Sequence, residues 1–306
     1  MKLNSKQMAQ FAAEGYLRFD AAVPEALNQK FLAEIGAPAH EDPSGVDHPM
    51  AHYAKVMTSS AIPVVSPGTK LSEAYPTESA LSDLMQLPIV SGAIESLVGS
   101  APIFDHHFLH ITFPPEFYEG KQQKAQHYHQ DSTIDPRQAF DVQLMYFPHN
   151  VTEDMGGTRF LPGSHHRIVS EAAIGRYQNI VGQQRMTCPA GTLLFLHMGI
   201  WHGGGLNLSE RMRYMFKIRL NPGERQARLW DTSDLGNEHY QQRPIFWTGG
   251  QQGDEIHQIL MKPAPWFEAD TGRLEMINRV KFWRYLLGDP SFDADYWLSR
   301  LEIEYI

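Results

Sequence analysis

The chain has 306 residues, with 26 lysines and arginines against 35 aspartates and glutamates, a net charge of −9 at pH 7. Hydrophobic residues at 42% and charged residues at 20% are ordinary for a globular protein and exclude a disordered one. The acidic balance without any Lys/Arg run speaks against nucleic acid or an anionic membrane surface as partner, and the single Cys188 excludes an internal disulfide.

The first hundred residues read as helices and loops. Asn4 and Ser5 cap a predicted helix that carries Met8, Phe11 and Ala12 on one face and ends at Gly15. A second is predicted after Pro24, with Leu27, Phe31 and Ile35 at helical spacing and Gly36 as its stop. Residues 37–78 hold six prolines and no periodicity, which suits a lid or binding loop, or equally a segment wrapped over the surface. Leu81, Leu84 and Met85 begin a helical region that Pro88 breaks, and Val90, Ile94 and Leu97 continue it to Gly99.

From 102 the texture changes. Residues 103–113, 141–148, 158–161, 192–198 and 213–220 are short runs rich in β-branched and aromatic residues, separated by turn signals such as Gly156-Gly157, Pro162-Gly163 and Asn221-Pro222-Gly223. Such a series predicts a closed or sandwiched antiparallel fold. In the tail, Met276, Val280, Trp283 and Leu287 form an apolar stripe that Gly288-Asp289-Pro290 stops. No repeat and no linker divides the chain. The expected plan is one domain over 1–306, mainly β with flanking helices (α+β): helices and loops over 1–100, a β core over 101–222, and a largely helical extension over 223–306. The N-terminus opens on no apolar core of signal-peptide length and no membrane-spanning apolar run occurs, so a cytoplasmic protein is expected.

Histidine is the unusual residue: ten of the fifteen lie between 106 and 202. The decisive segment is Gln126-His127-Tyr128-His129-Gln130-Asp131. In a strand, residues two apart point the same way, so His129 and Asp131 aim an imidazole and a carboxylate at one point. His202, just after the run 192–198, supplies a third group. Two histidines and one carboxylate fill half an octahedron and leave three positions open, which suits a non-haem Fe(II) oxygenase. His-x-Asp by itself is more often a structural hydrogen-bonded pair. Arg213, eleven residues after His202 on a strand-like run to Arg219, adds the bidentate carboxylate grip that a keto acid needs. Arg211 shares its parity and is the local competitor.

Other residues carry two readings each. His127 has the parity of a fourth ligand but better suits a place behind the ligands or facing solvent. His106 and His110 share a parity with Phe104, Phe108 and Thr112, and line either a substrate pocket or the core. Gln143 and Met145 follow the metal loop and face either the pocket or the barrel core. Trp201 is read as packing beside the ligand, with substrate contact as the alternative. Gly203-Gly204-Gly205 lets the backbone pass close to the metal.

The stretch 126–221 resembles the phytanoyl-CoA dioxygenase family of iron(II)- and 2-oxoglutarate-dependent oxygenases. The resemblance is carried, in order, by His129-Gln130-Asp131, by the run Met155-Gly156-Gly157 to Pro162-Gly163-Ser164-His165, by Pro189-Ala190-Gly191 leading to Trp201-His202, and by Asn207, Ser209 and Arg213. It implies a double-stranded β-helix (a cupin-like jelly roll) with Fe(II) on His129, Asp131 and His202, and O2 as oxidant. It also implies 2-oxoglutarate on the metal, its distal carboxylate on Arg213 with Asn207 and Ser209 nearby. His165 and His166 look structural in that pattern. The family often has a serine where this chain has Gly204, and Asn207, Ser209 or a water is the expected substitute. Asp131, being an acid, disfavours halogenation. The expected activity is hydroxylation of a small molecule; no nucleic-acid or membrane partner is expected, and a homodimer is compatible. The alternative is a cupin-like metalloenzyme, an isomerase or cosubstrate-free dioxygenase, which would leave Arg213 without a keto acid to hold.

Overall fold

Asn4 accepts from the Gln7 backbone while the Gln7 side chain accepts from the Asn4 N–H, a capping box that starts α1 (Ser5–Glu14), and Gly15 ends it with φ +76°. Residues 1–37, 49–131, 141–167, 174–175, 179–225, 229–235, 255–262 and 269–288 are described by the computed structural model. Glu25–Glu34 forms α2, Ala80–Gln86 α4, and Pro88–Val98 α5 with Pro88 at its first turn, as their spacing predicts. Pro49–Met57 adds α3 inside the proline-rich stretch, where no helix was expected. Beyond it Ala61, Ile62, Ala74 and Tyr75 are buried against the helical side of the sheet, so this part of 37–78 wraps the core, while 38–48 lie outside the described residues.

The strands make two antiparallel sheets. They are β1 (Tyr16–Phe19), β2 (Pro102–Thr112), β3 (Val142–Phe147), β4 (Thr158–Leu161), β5 (Gln184–Arg185), β6 (Thr192–His197), β7 (Trp201–Gly204) and β8 (Arg213–Pro222). The larger sheet runs β1-β6-β3-β8-β2 and the smaller β5-β4-β7. All pairings within them are antiparallel, giving a jelly-roll core with flanking helices. Along β3 the faces alternate: Leu144 and Tyr146 pack beneath the helices, Met145 and Phe147 between the sheets. In the tail, α6 (Glu255–Met261) and α7 (Ala269–Leu287) are helical as expected, and Val280, Trp283 and Leu287 are buried. None of the described helices is long and apolar enough to cross a membrane.

One expectation is overturned here. The register of β2 against β8 shifts between Phe104 and His106, a bulge that inserts Asp105. Phe104 therefore joins the helix-side core and meets His107 edge-on, whereas His106, Phe108, His110 and Thr112 stand opposite Arg219, Lys217, Met215 and Arg213.

Candidate metal centre

The segment 126–131 runs beside β7 without forming a regular ladder. Gln126 N–H donates to Gly204 O, His129 and His202 exchange both backbone hydrogen bonds at 3.0 Å, and Asp131 N–H donates to Met198 O. Gly203 makes the approach feasible, since a Cβ there would lie 2.9 Å from His127 O. The expected strand is thus an extended segment pinned at one bridge, which still presents His129 and Asp131 together.

Ligand atoms of His129, Asp131 and His202 lie within 4.8 Å of one another. His129 Nδ1 donates to His127 O and His202 Nδ1 to Ile200 O, each at 3.0 Å. That fixes both rings with Nε2 facing the carboxylate: 3.7 Å from Asp131 Oδ1 for His129 and 3.3 Å from Oδ2 for His202. Burial would push the Asp131 carboxyl up, but the His202 hydrogen bond and the charges of His202, Lys217 and His129 hold it far below the usual range. Burial, and then His202, bring His129 below its ordinary value. The lowered values of Asp131 and His129 favour the deprotonated forms that a metal needs.

A cavity of about 220 Å³ opens beside them, lined by His110, Thr112, Gln126, Met145, Gly204, Arg213, Met215 and Lys217 among others. Arg213 is 4% exposed. Its Nη2 donates to Thr112 Oγ1 at 2.8 Å, while Nε and Nη1 have no partner among the described residues. Burial brings it down to about 10, so it is charged at neutral pH. A Cβ on Gly204 would sit 4.0 Å from Arg213 Nη2 and 3.6 Å from Gln126 Oε1, so a side chain there would make ordinary contact beside the guanidinium without a clash. Arg211 lies in the turn before β8 and is exposed.

Asn207 and Ser209 do not line the cavity. Asn207 Nδ2 donates to Thr112 O and Arg211 O, and its Oδ1 accepts from the Ser209 N–H and hydroxyl, so the pair braces the turn that delivers Arg213. His110 and Met145 do line it. Burial, then Lys217, bring His110 down to about 4, and its Nε2 has no partner among the described residues. Gln143 is buried on the same face as Met145, with neither amide atom partnered among the described residues. Trp201 packs with Tyr128, Leu161 and Ile174, away from the cavity. His127 is exposed and contributes its carbonyl. His165 and His166 both donate through Nε2 to Ala12 O, holding the end of α1 as structural residues do.

Sequence reasoning missed Lys217, whose Nζ lies 3.3 Å from Asp131 Oδ2. Its signal was parity, four residues from Arg213 on one strand. Thr112 and Gln126 were missed as well, because only the register brings them to Arg213 and Gly204.

Residues 11–215 match the family model of phytanoyl-CoA dioxygenase. An uncharacterized protein of Mycobacterium bovis is 28% identical over 132 residues, 42% of this chain and 46% of that protein. L-proline trans-4-hydroxylase of Streptomyces griseoviridis is 25% identical over 170 residues, 45% of this chain and 61% of the hydroxylase. The chain spans about half the length of the curated relatives it matches. Among solved structures, HygX from Streptomyces hygroscopicus aligns over 76% of this chain and 94% of its own, with a TM-score of 0.50 and 12% identity, a likeness of fold alone.

Proposed function

The chain belongs to the phytanoyl-CoA dioxygenase family, and from that premise we propose that it is a non-haem iron(II)- and 2-oxoglutarate-dependent dioxygenase that hydroxylates a small molecule. The observation that carries this is the juxtaposition of the His129, Asp131 and His202 ligand atoms with a buried arginine whose Nε and Nη1 lack partners among the described residues. The residues fit both groups. Two oriented imidazoles and a carboxylate suit a divalent iron with open positions. A buried, charged guanidinium on the cavity wall, with donors left over among the described residues, suits a dicarboxylate. A cupin-like enzyme without a keto acid would leave those donors buried and unsatisfied, which is costly.

Iron(II) with 2-oxoglutarate and dioxygen supplies the power to oxidise an unactivated C–H bond, with succinate and carbon dioxide as by-products. The chain's own part is binding and orientation. His129, Asp131 and His202 would hold the metal. Arg213, fixed by Thr112, would hold the distal carboxylate and so orient the cosubstrate. Met145 and Met215 supply the apolar part of the cavity wall. The proline hydroxylase among the relatives supports hydroxylation of a small solute as the outcome.

The test is succinate formation with Fe(II), 2-oxoglutarate and ascorbate, with and without candidate substrates, L-proline among them. Succinate that depends on both iron and 2-oxoglutarate and rises with a substrate supports the proposal. Product formed equally well without 2-oxoglutarate would overturn it.

A further inference from the structure

Lys217 has no part in the function described so far. It stands on the inward face of β8, is 7% exposed, and lines the cavity. Among the described residues its ammonium has one carboxylate partner, Asp131, and the same oxygen faces His202 Nε2. A metal on the triad would claim that carboxylate. Arg219, next on the same face, is already held by Asp105 and Asp141.

We propose that the substrate is a small carboxylate whose charge is held by Lys217 and whose body lies on the ring of Phe108; this rests on the iron and 2-oxoglutarate function proposed above. Iron(II), Asp131, dianionic 2-oxoglutarate and Arg213 balance to zero charge. Lys217 then loses Asp131 to the metal, and a buried ammonium is costly unless another anion meets it. The remaining ligand is the substrate, so the substrate brings the anion. Phe108 sets the other half of the site. It faces Lys217 directly across the β2–β8 ladder, with the ammonium 5.8 Å from its ring centroid. It is 47% exposed, shares its strand face with the cavity-lining His110 and Thr112, and stands between the rings of His106 and His110. The inward face of β2 is thus an aromatic strip running to the cavity, fit for a planar or hydrocarbon body.

Benzoate and benzamide, alike in shape and different in charge, are the probes. Each is titrated by calorimetry, without oxygen, into protein loaded with Mn(II) and saturating 2-oxoglutarate. Benzoate is expected to bind tighter by about tenfold or more. Lys217→Met should remove the preference, Lys217→Arg should restore much of it, and Phe108→Ala should weaken both probes alike. Equal affinity of the two probes in the natural chain, or a preference that survives in Lys217→Met, overturns the proposal. Metal-dependent 2-oxoglutarate binding is measured first in every variant. Its absence from the natural chain overturns both this inference and the oxygenase function, whereas its presence without a carboxylate preference overturns this inference alone.

Discussion

Arg213→Ala separates the cosubstrate anchor from the metal. The guanidinium is 4% exposed, so solvent does little to screen it. Removing one side of a buried charge pair costs about 3–5 kcal/mol, roughly 10²–10³ in affinity or more. Part of the loss falls on the protein itself, because Thr112 Oγ1 loses its donor. We therefore expect the dissociation constant of 2-oxoglutarate to rise by about tenfold at the least, with iron content unchanged. Arg213→Lys should recover only part of this, since one ammonium cannot supply the two parallel donors of a guanidinium. Arg211→Ala is the control, an exposed side chain in the preceding turn. The assay is anaerobic titration of Mn(II)-loaded protein with 2-oxoglutarate, alongside metal content by atomic emission. Undisturbed affinity in Arg213→Ala would refute the anchor.

Replacing His129, Asp131 or His202 with Ala should remove most of the bound iron, because two ligands do not hold the site; stoichiometric iron in His202→Ala would sink the assignment. Gly157→Ala should lower the melting temperature, since its Cβ would lie 1.8 Å from Met186 O, an overpacking worth about 1–3 kcal/mol; an unchanged melting curve would contradict that close approach. His165, His166 and His197 stack together against Phe282, and burial lowers all three, His197 to about 3. They stay neutral in the folded chain while the unfolded chain protonates them below about pH 6.5, so the unfolded state binds more protons and acidification destabilises the fold. Each contributes a slope of up to about 1.4 kcal/mol per pH unit below that point, to be read from denaturant midpoints between pH 7.5 and 5. Constant midpoints across that range would mean that the cluster is not buried neutral.

The longer strands were legible because their β-branched and aromatic runs are bounded by turn residues, and 192–198 and 213–220 appear almost unchanged as β6 and β8. Short pieces were not. Gln184–Arg185 and the glycine-rich Trp201–Gly204 carry no alternation, and only their pairing with β4 makes them strands. Helix α3 was hidden among prolines whose spacing suggested a loop. The bulge at Asp105 was illegible for a different reason: no glycine marks it, and parity counted from Phe104 gives the wrong face. The triad could be found because His129 and Asp131 are neighbours in sequence and His202 follows an apolar strand. Lys217 was harder to find, because parity alone puts it on the face of Arg213 and nothing local to it distinguishes a cavity lysine from a solvent-facing one.

The alternation of β8 shows how one strand divides its work. Tyr214, Phe216, Ile218 and Leu220 pack beneath the helices, the half of the pattern that a buried strand requires. The opposite face carries Arg213, Met215, Lys217 and Arg219, three cations where a core would place apolar residues. Burying charge is unfavourable unless each one is met, and the three are met unequally. Arg219 has two carboxylates, Asp105 and Asp141, and Lys217 has Asp131. Arg213 has only a threonine hydroxyl among its described hydrogen bonds. Partners thus thin out along the strand from Arg219 to Arg213, while the cavity is lined by Lys217 and Arg213. A charge satisfied within the protein stabilises the fold and binds nothing more, whereas one left short of partners gains most when an anion arrives. On that argument Arg219 is a structural cation, and the two beyond it are the ones whose replacement should alter ligand binding more than stability.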